Sequence, residues 1–141
     1  MPRLKKNFTA ERAAIPIVHD FVKSALKDHG VSVETATDFI LACDETATNI
    51  VEHSFVDKIN VKEAKPQFIL TLCCRKNKVT ATFFDSGASF NLKDVEAPDI
   101  SKNLRGEKRG GYGVFLIRKL VDKIVYSARR RLNVTRLIKE T

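Results

Sequence analysis

Three short stretches of the chain hold side chains suited to a charged, phosphate-bearing ligand. The first is DETATNIVEH, residues 44–53, in which Glu45, Asn49 and His53 recur every four residues. On a helix that spacing advances each by only about 40°, so a carboxylate, an amide and an imidazole share one edge. The carboxylate can take up a proton, and an amide oxygen is a hard ligand of the kind magnesium prefers. The second is DSGASFN, residues 85–91. Asp85 ends a strand, where it can accept a hydrogen bond from an exocyclic amine, and Gly87 lets a flat ring approach the backbone. The third is RGGYGVFLIRKLVD, residues 109–122, with Gly110, Gly111 and Gly113 ahead of an apolar helix. The N–H groups at such a helix start can bind phosphate, helped by the helix dipole. No Gly-Lys-Ser/Thr follows, and the pattern is not Gly-x-Gly-x-x-Gly. Taken singly, each stretch has a plain structural reading: a solvated helix stripe, an Asp-Gly turn, a hinge into a structural helix.

The elements that must position these residues are legible from periodicity. Residues 2–9 read as a short edge strand with Pro2 at its start. From Ala10 to about His29, apolar residues Ala14, Ile17, Val18, Phe21, Val22, Ala25 and Leu26 repeat near 3.6 residues, and Gly30 ends the helix. Pro16 lies inside this run, so the helix either begins there or kinks. Ser32 is the N-cap of a second helix expected to run to about Ser54. On it Phe39, Ile40, Cys43, Ala47 and Ile50 form a broad apolar face beside the Glu45–Asn49–His53 stripe, with Asp44 and Thr48 turned to water. QFILTLCCR and KVTATFFD form a hairpin around Lys76-Asn77, and DKIVYSARRR and LNVTRLIKE form a second pair after the glycine-led helix. Residues 88–110 have no period, and a loop that long in so small a domain is usually functional. The order β-α-α-β-β-loop-α-β-β predicts an α+β, two-layer sandwich with helices on one face of a mixed, mainly antiparallel sheet.

Composition sets the boundaries. A chain of 141 residues, 43% hydrophobic and 30% charged, suits one domain spanning 1–141. No apolar run approaches the roughly 18 residues of a membrane helix, and the basic start MPRLKKNFTAER is not followed by a signal core. The expected setting is the cytoplasm. Cys43, Cys73 and Cys74 have no metal-ligand spacing and read as reduced thiols packed like small hydrophobes, with Cys73 and Cys74 on opposite faces of a strand. The net charge of +8 is uneven: residues 1–100 carry 13 Lys/Arg against 14 Asp/Glu, whereas residues 101–141 carry 12 against 3. That asymmetry calls for an anionic partner. A nucleic-acid interface lacks its usual marks, exposed stacking aromatics or a helix-turn-helix.

In this order and spacing, CDETATNIVEH, DSGASFN and GGYGVFLIRKLVD resemble the N box, the Asp-x-Gly-x-x-Phe box and the Gly-x-Gly box of the GHKL ATP-binding superfamily. Within it, the closest resemblance is to the bacterial anti-sigma-factor serine kinases, and it covers roughly residues 7–140. It implies the GHKL (Bergerat) fold, ATP and Mg2+ as cofactors, and an ATP lid at about 88–110. It further implies that Asn49 binds magnesium, Glu45 acts as general base toward a protein serine, Asp85 specifies adenine and Gly87 lies beside the ring. His53, Phe90, Gly110, Gly111, Tyr112, Gly113 and Val114 fall in the nucleotide-binding boxes. Arg105, Lys108 and Arg109, at the end of the lid, are placed to neutralise the γ-phosphate. The implied activity is that of a serine/threonine protein kinase and anti-sigma factor, forming a homodimer, with a sigma factor and a small antagonist protein as partners and neither nucleic acid nor membrane. The alternative is a nucleotide-gated binding module with little or no turnover. One departure stands out: Leu132-Asn133 occupies the place where family members often carry Gly-Thr.

Overall fold

Residues 3–54, 66–86, 111–129 and 132–141 are described by a computed structural model. Strand β1 (Arg3–Thr9) leads into helices α1 (Ala14–Asp28) and α2 (Val33–Asn49), and α2 runs on into a wider π-type turn over Ile50–Ser54. A hairpin of β2 (Gln67–Arg75) and β3 (Lys78–Asp85) follows, then helix α3 (Gly111–Leu120), then a hairpin of β4 (Lys123–Arg129) and β5 (Leu132–Glu140). The strands form one sheet in the order β1-β2-β3-β5-β4. The expected α+β sandwich is found, although the sheet is not mixed: among the described residues every pairing is antiparallel.

Local chemistry accounts for the boundaries. Helix α1 starts at Ala14 rather than Ala10, which puts Pro16 in the first turn, where its missing N–H costs nothing. Its buried stripe is Ala14, Val18, Val22, Ala25 and Leu26. Ile17 is 47% exposed, so the buried face is narrower than the periodicity suggests. Gly30 adopts φ +76°, a left-handed conformation that costs glycine little, and the Val31 N–H returns to the Leu26 carbonyl. The Ser32 hydroxyl then accepts from the Thr35 N–H at 3.3 Å and caps α2.

Strand alternation builds the core. In β2, Phe68, Leu70, Leu72 and Cys74 are buried on the helix side, and Val79, Ala81 and Phe83 do the same in β3. The register Leu70↔Phe83 and Leu72↔Ala81 sets them side by side, with Arg75 paired to Lys78 across the expected two-residue turn. Cys73 takes the other face, as the alternation requires. Phe8 on edge strand β1 stacks on Phe68 at 5.3 Å and meets Phe21 of α1 edge-on at 6.0 Å, which seats α1 on that side of the sheet.

A single lysine sets the direction of the other two helices. Lys139 of β5 donates from Nζ to the Leu120 carbonyl at the end of α3 (2.8 Å) and lies 3.8 Å from Asp38 in the first half of α2. The ammonium thus satisfies an orphan carbonyl at a negative helix end. Because α2 and α3 pack against each other from this common point, they run antiparallel. The end of α2 and the start of α3 therefore lie together, about 15 Å away. Asn133, six residues before Lys139 on β5, is displaced about 20 Å toward the same end.

Replacing Lys139 by Met keeps the apolar stem but removes the charged hydrogen bond. The expected loss is about 1.5–3 kcal/mol of unfolding free energy, read from the urea midpoint. Asp38→Ala, which removes only a long and half-exposed ion pair, should cost less than about 1 kcal/mol.

Candidate functional site

At the end of α2, Asn49 is only 5% exposed, and its Nδ2 has no hydrogen-bond partner among the described residues. A buried polar group left in that state costs about 1–3 kcal/mol, and an amide N–H is a donor that calls for an acceptor. Glu45, one turn earlier, is half-buried. Burial pushes its carboxyl above the ordinary value of 4.5, and the nearby Asp44 and Glu52 carboxylates push the same way. The hydroxyls of Thr46 and Thr48 donate back to the Ala42 and Asp44 carbonyls, both at 2.8 Å, and so are occupied within the helix.

One expectation for this helix needs correction. Asp44 does not turn to water. Its Oδ2 lies 2.7 Å from His19 Nδ1 on α1, and its Oδ1 is buried without a partner among the described residues. The reason is tertiary: α1 packs along the side of α2 that periodicity alone leaves open. Burial raises the Asp44 pKa, with Asp20 adding to the effect, against the lowering influence of the His19 contact. After Asn49 the helix widens into the π-type turn over Ile50–Ser54. The His53 side chain lies outside the described residues.

Asp85 closes β3. Alternation with Val79, Ala81 and Phe83 turns its side chain to the helix-covered face, where it is 3% exposed. Directly opposite in the register stands Asn133 of β5, 4% exposed, whose Nδ2 donates to Asp85 Oδ1 at 3.0 Å. Tyr126 of β4 donates from its hydroxyl to Asn133 Oδ1 at 3.1 Å. Asn133 and Tyr126 were not legible as partners of Asp85, since nothing in local sequence sets the register of β3 on β5. The only hint was that Asn133 departs from the expected Gly-Thr.

The third stretch is also displaced from its expected place. Gly111 and Gly113 lie inside the first turn of α3 rather than ahead of it. First-turn N–H groups lack intrahelical partners, so the helix still offers these donors to an anion. Val114 is buried in the core at 1% exposure, which leaves its backbone N–H, not its side chain, for any ligand. The side chain of Tyr112 lies outside the described residues. So do Gly87, Phe90, Arg105, Lys108, Arg109 and Gly110, together with the whole 88–110 segment. The antiparallel arrangement of α2 and α3 brings Glu45, Asn49 and the start of α3 to one end of the domain, toward which the Asp85–Asn133 pair also lies. Among the described residues no helix is long and apolar enough to cross a membrane.

Residues 8–139 match the profile of the histidine kinase-like ATPase domain. The chain belongs to that family. Its relatives include the serine-protein kinase RsbW of Bacillus thuringiensis, 26% identical over 126 residues that cover 86% of this chain and 75% of the relative. The RsbW of Staphylococcus aureus is 27% identical over 99 residues, covering 67% and 60%. Among solved structures, the fold is similar to the RsbU and RsbW domains of Rv1364c from Mycobacterium tuberculosis, with a TM-score of 0.69 and 16% identity. That likeness covers 99% of this chain but only 32% of the longer one. The SiaB–SiaC complex from Pseudomonas aeruginosa matches with a TM-score of 0.68 and 15% identity, covering 96% and 88%. The resemblance to the anti-sigma-factor serine kinases of the GHKL superfamily is therefore supported by sequence relatives and by fold.

The raised Glu45 carboxyl sets a pH dependence. Between the ordinary value and the raised one, the folded protein holds a proton that the unfolded chain has released, so stability falls as pH rises through that interval. Glu45→Gln should be more stable than the parent at neutral pH. The advantage should vanish below the ordinary glutamate range, as read by thermal unfolding across pH.

Proposed function

We propose that this protein is an ATP-dependent serine/threonine protein kinase that also acts as an anti-sigma factor, phosphorylating a small antagonist protein on serine and sequestering a sigma factor in the cytoplasm. The observation that carries the reading is the buried Asn49 at the end of α2, one turn after the half-buried Glu45: its Nδ2, a donor without a partner among the described residues, suits a phosphate oxygen, and its Oδ1 is the hard oxygen that a cation would take. Burial raises the Glu45 carboxyl above its ordinary value, which makes its carboxylate a stronger base.

The residues fit a magnesium–ATP complex. Phosphoryl transfer asks the protein mainly for positioning and charge neutralisation. Magnesium keeps several waters and leans on the phosphates, so one protein oxygen suffices. The Asn49 amide would hold it, and the bound cation would spread the charge of the transferring phosphate. Glu45 takes the proton of the incoming serine hydroxyl. Asp85 would accept from the purine amine, and the first-turn N–H groups of α3 would meet the phosphates, with Arg105, Lys108 and Arg109 of the expected lid at about 88–110 as the residues proposed to neutralise them. The excess positive charge beyond residue 100 then serves an anionic nucleotide and an acidic protein face. Homodimerisation belongs to the same reading. Support comes from the names of the RsbW relatives and from the SiaB–SiaC neighbour, a complex of two proteins. A nucleotide-gated binding module without turnover is the second reading, favoured by Asn133 in place of the family threonine.

Asn49→Ala should abolish magnesium-dependent ATP binding measured by calorimetry; binding as tight as wild type would remove the metal assignment. Glu45→Gln should still bind ATP yet transfer labelled phosphate to the antagonist about 10²–10⁴-fold more slowly. Undiminished transfer would exclude Glu45 as the base, and no transfer by the wild type would favour the binding module.

A further inference from the structure

We propose that Tyr126 and Asn133 are positioning residues that set the base specificity of this pocket, holding Asp85 as an acceptor-only carboxylate so that the site takes a purine bearing an exocyclic amine and rejects one bearing a carbonyl there. The proposal rests on the reading of Asp85 as the purine-facing group.

An asparagine amide carries a donor and an acceptor and can present either one. An ionised Asp85 only accepts, so the Asn133 NH2 faces it at 3.0 Å, and the Tyr126 hydroxyl, which can donate or accept, then donates to Asn133 Oδ1 at 3.1 Å. Strand register makes the arrangement rigid: Asp85 and Asn133 are directly paired across β3 and β5, and Tyr126 stands diagonal to Asn133 on β4, opposite Thr135. All three side chains project to the helix-covered face, where Asp85 and Asn133 are almost wholly buried.

A donor fixed on the carboxylate favours its charged form. Guanine presents a carbonyl oxygen where adenine presents an amine. To meet that oxygen, Asp85 would have to carry a proton, and the neutral form gains least from the Asn133 N–H. A buried acceptor facing another acceptor is an unpaired polar contact, the kind of mismatch from which polar sites draw their selectivity. Leucine at position 133 would have the same size as asparagine but no donor. Threonine would keep one, on a side chain suited to a strand.

The test is competition of ATP and GTP, each with magnesium, against a fluorescent ATP analogue on the full chain, with unfolding curves for every variant. Wild type should prefer ATP, and Asp85→Asn should lose that preference. Tyr126→Phe, which keeps the ring, should narrow the ATP-to-GTP ratio roughly tenfold. Asn133→Leu should narrow it further, and Asn133→Thr should restore most of it. A purely structural role would weaken both nucleotides alike and leave the ratio unchanged. If wild type discriminates and Asp85→Asn does not, yet folded Tyr126→Phe keeps the full ratio, the relay proposal is overturned while the purine site stands. If wild type binds ATP and GTP equally, the reading of Asp85 itself has failed. Should Asn133→Leu not fold, Tyr126→Phe alone decides.

Discussion

The antiparallel pairing of β3 with β5 is the constraint on which the rest depends. Two hairpins are built locally, each from its own turn and alternation. β3 and β5 join them across nearly fifty residues and make one sheet of the two. That pairing closes the core over Phe83 and Leu137, brings Lys139 under the ends of two helices, and sets Asn133 against Asp85. A slip of β5 by one residue would turn Asn133 to the open face and bring Val134 to the helix-covered face instead.

Beyond that seam, buried polar side chains occur in both layers: Thr71, Thr82 and Thr135 in the sheet, Thr46 and Asn49 in α2. The Thr46 hydroxyl returns to its own helix at the Ala42 carbonyl. Around the end of α2, by contrast, Asn49 and Asp44 each bury an atom without a partner among the described residues, and Glu45 is pushed toward its neutral form. Among the described residues these two atoms are the buried side-chain polar groups without a hydrogen bond, and each costs stability.

Much of this was legible beforehand. The Lys76-Asn77 turn, the Ser32 cap and the Gly30 stop act on neighbours a few residues away, so their effect can be read from local chemistry. The alternation in β2 and β3 likewise foretold which side chains face inward, Cys74 in and Cys73 out. What misled was context. Asp44 looks solvated until α1 packs over it and His19 reaches it. Leu132-Asn133 looks like the loss of a contact, whereas the fold uses the asparagine amide to hold Asp85.

The sequence by itself therefore determined the element order, the layer architecture and the residue types of the candidate site, because hydrophobic period, capping and turn chemistry are short-range. It also determined the family, because three boxes in fixed order and spacing are far more specific than any one. Only the tertiary structure decided the strand register, the antiparallel course of α2 and α3, and which polar groups are buried together. Those depend mainly on contacts between different elements, such as His19 with Asp44 and Asp85 with Asn133, and no local preference encodes them.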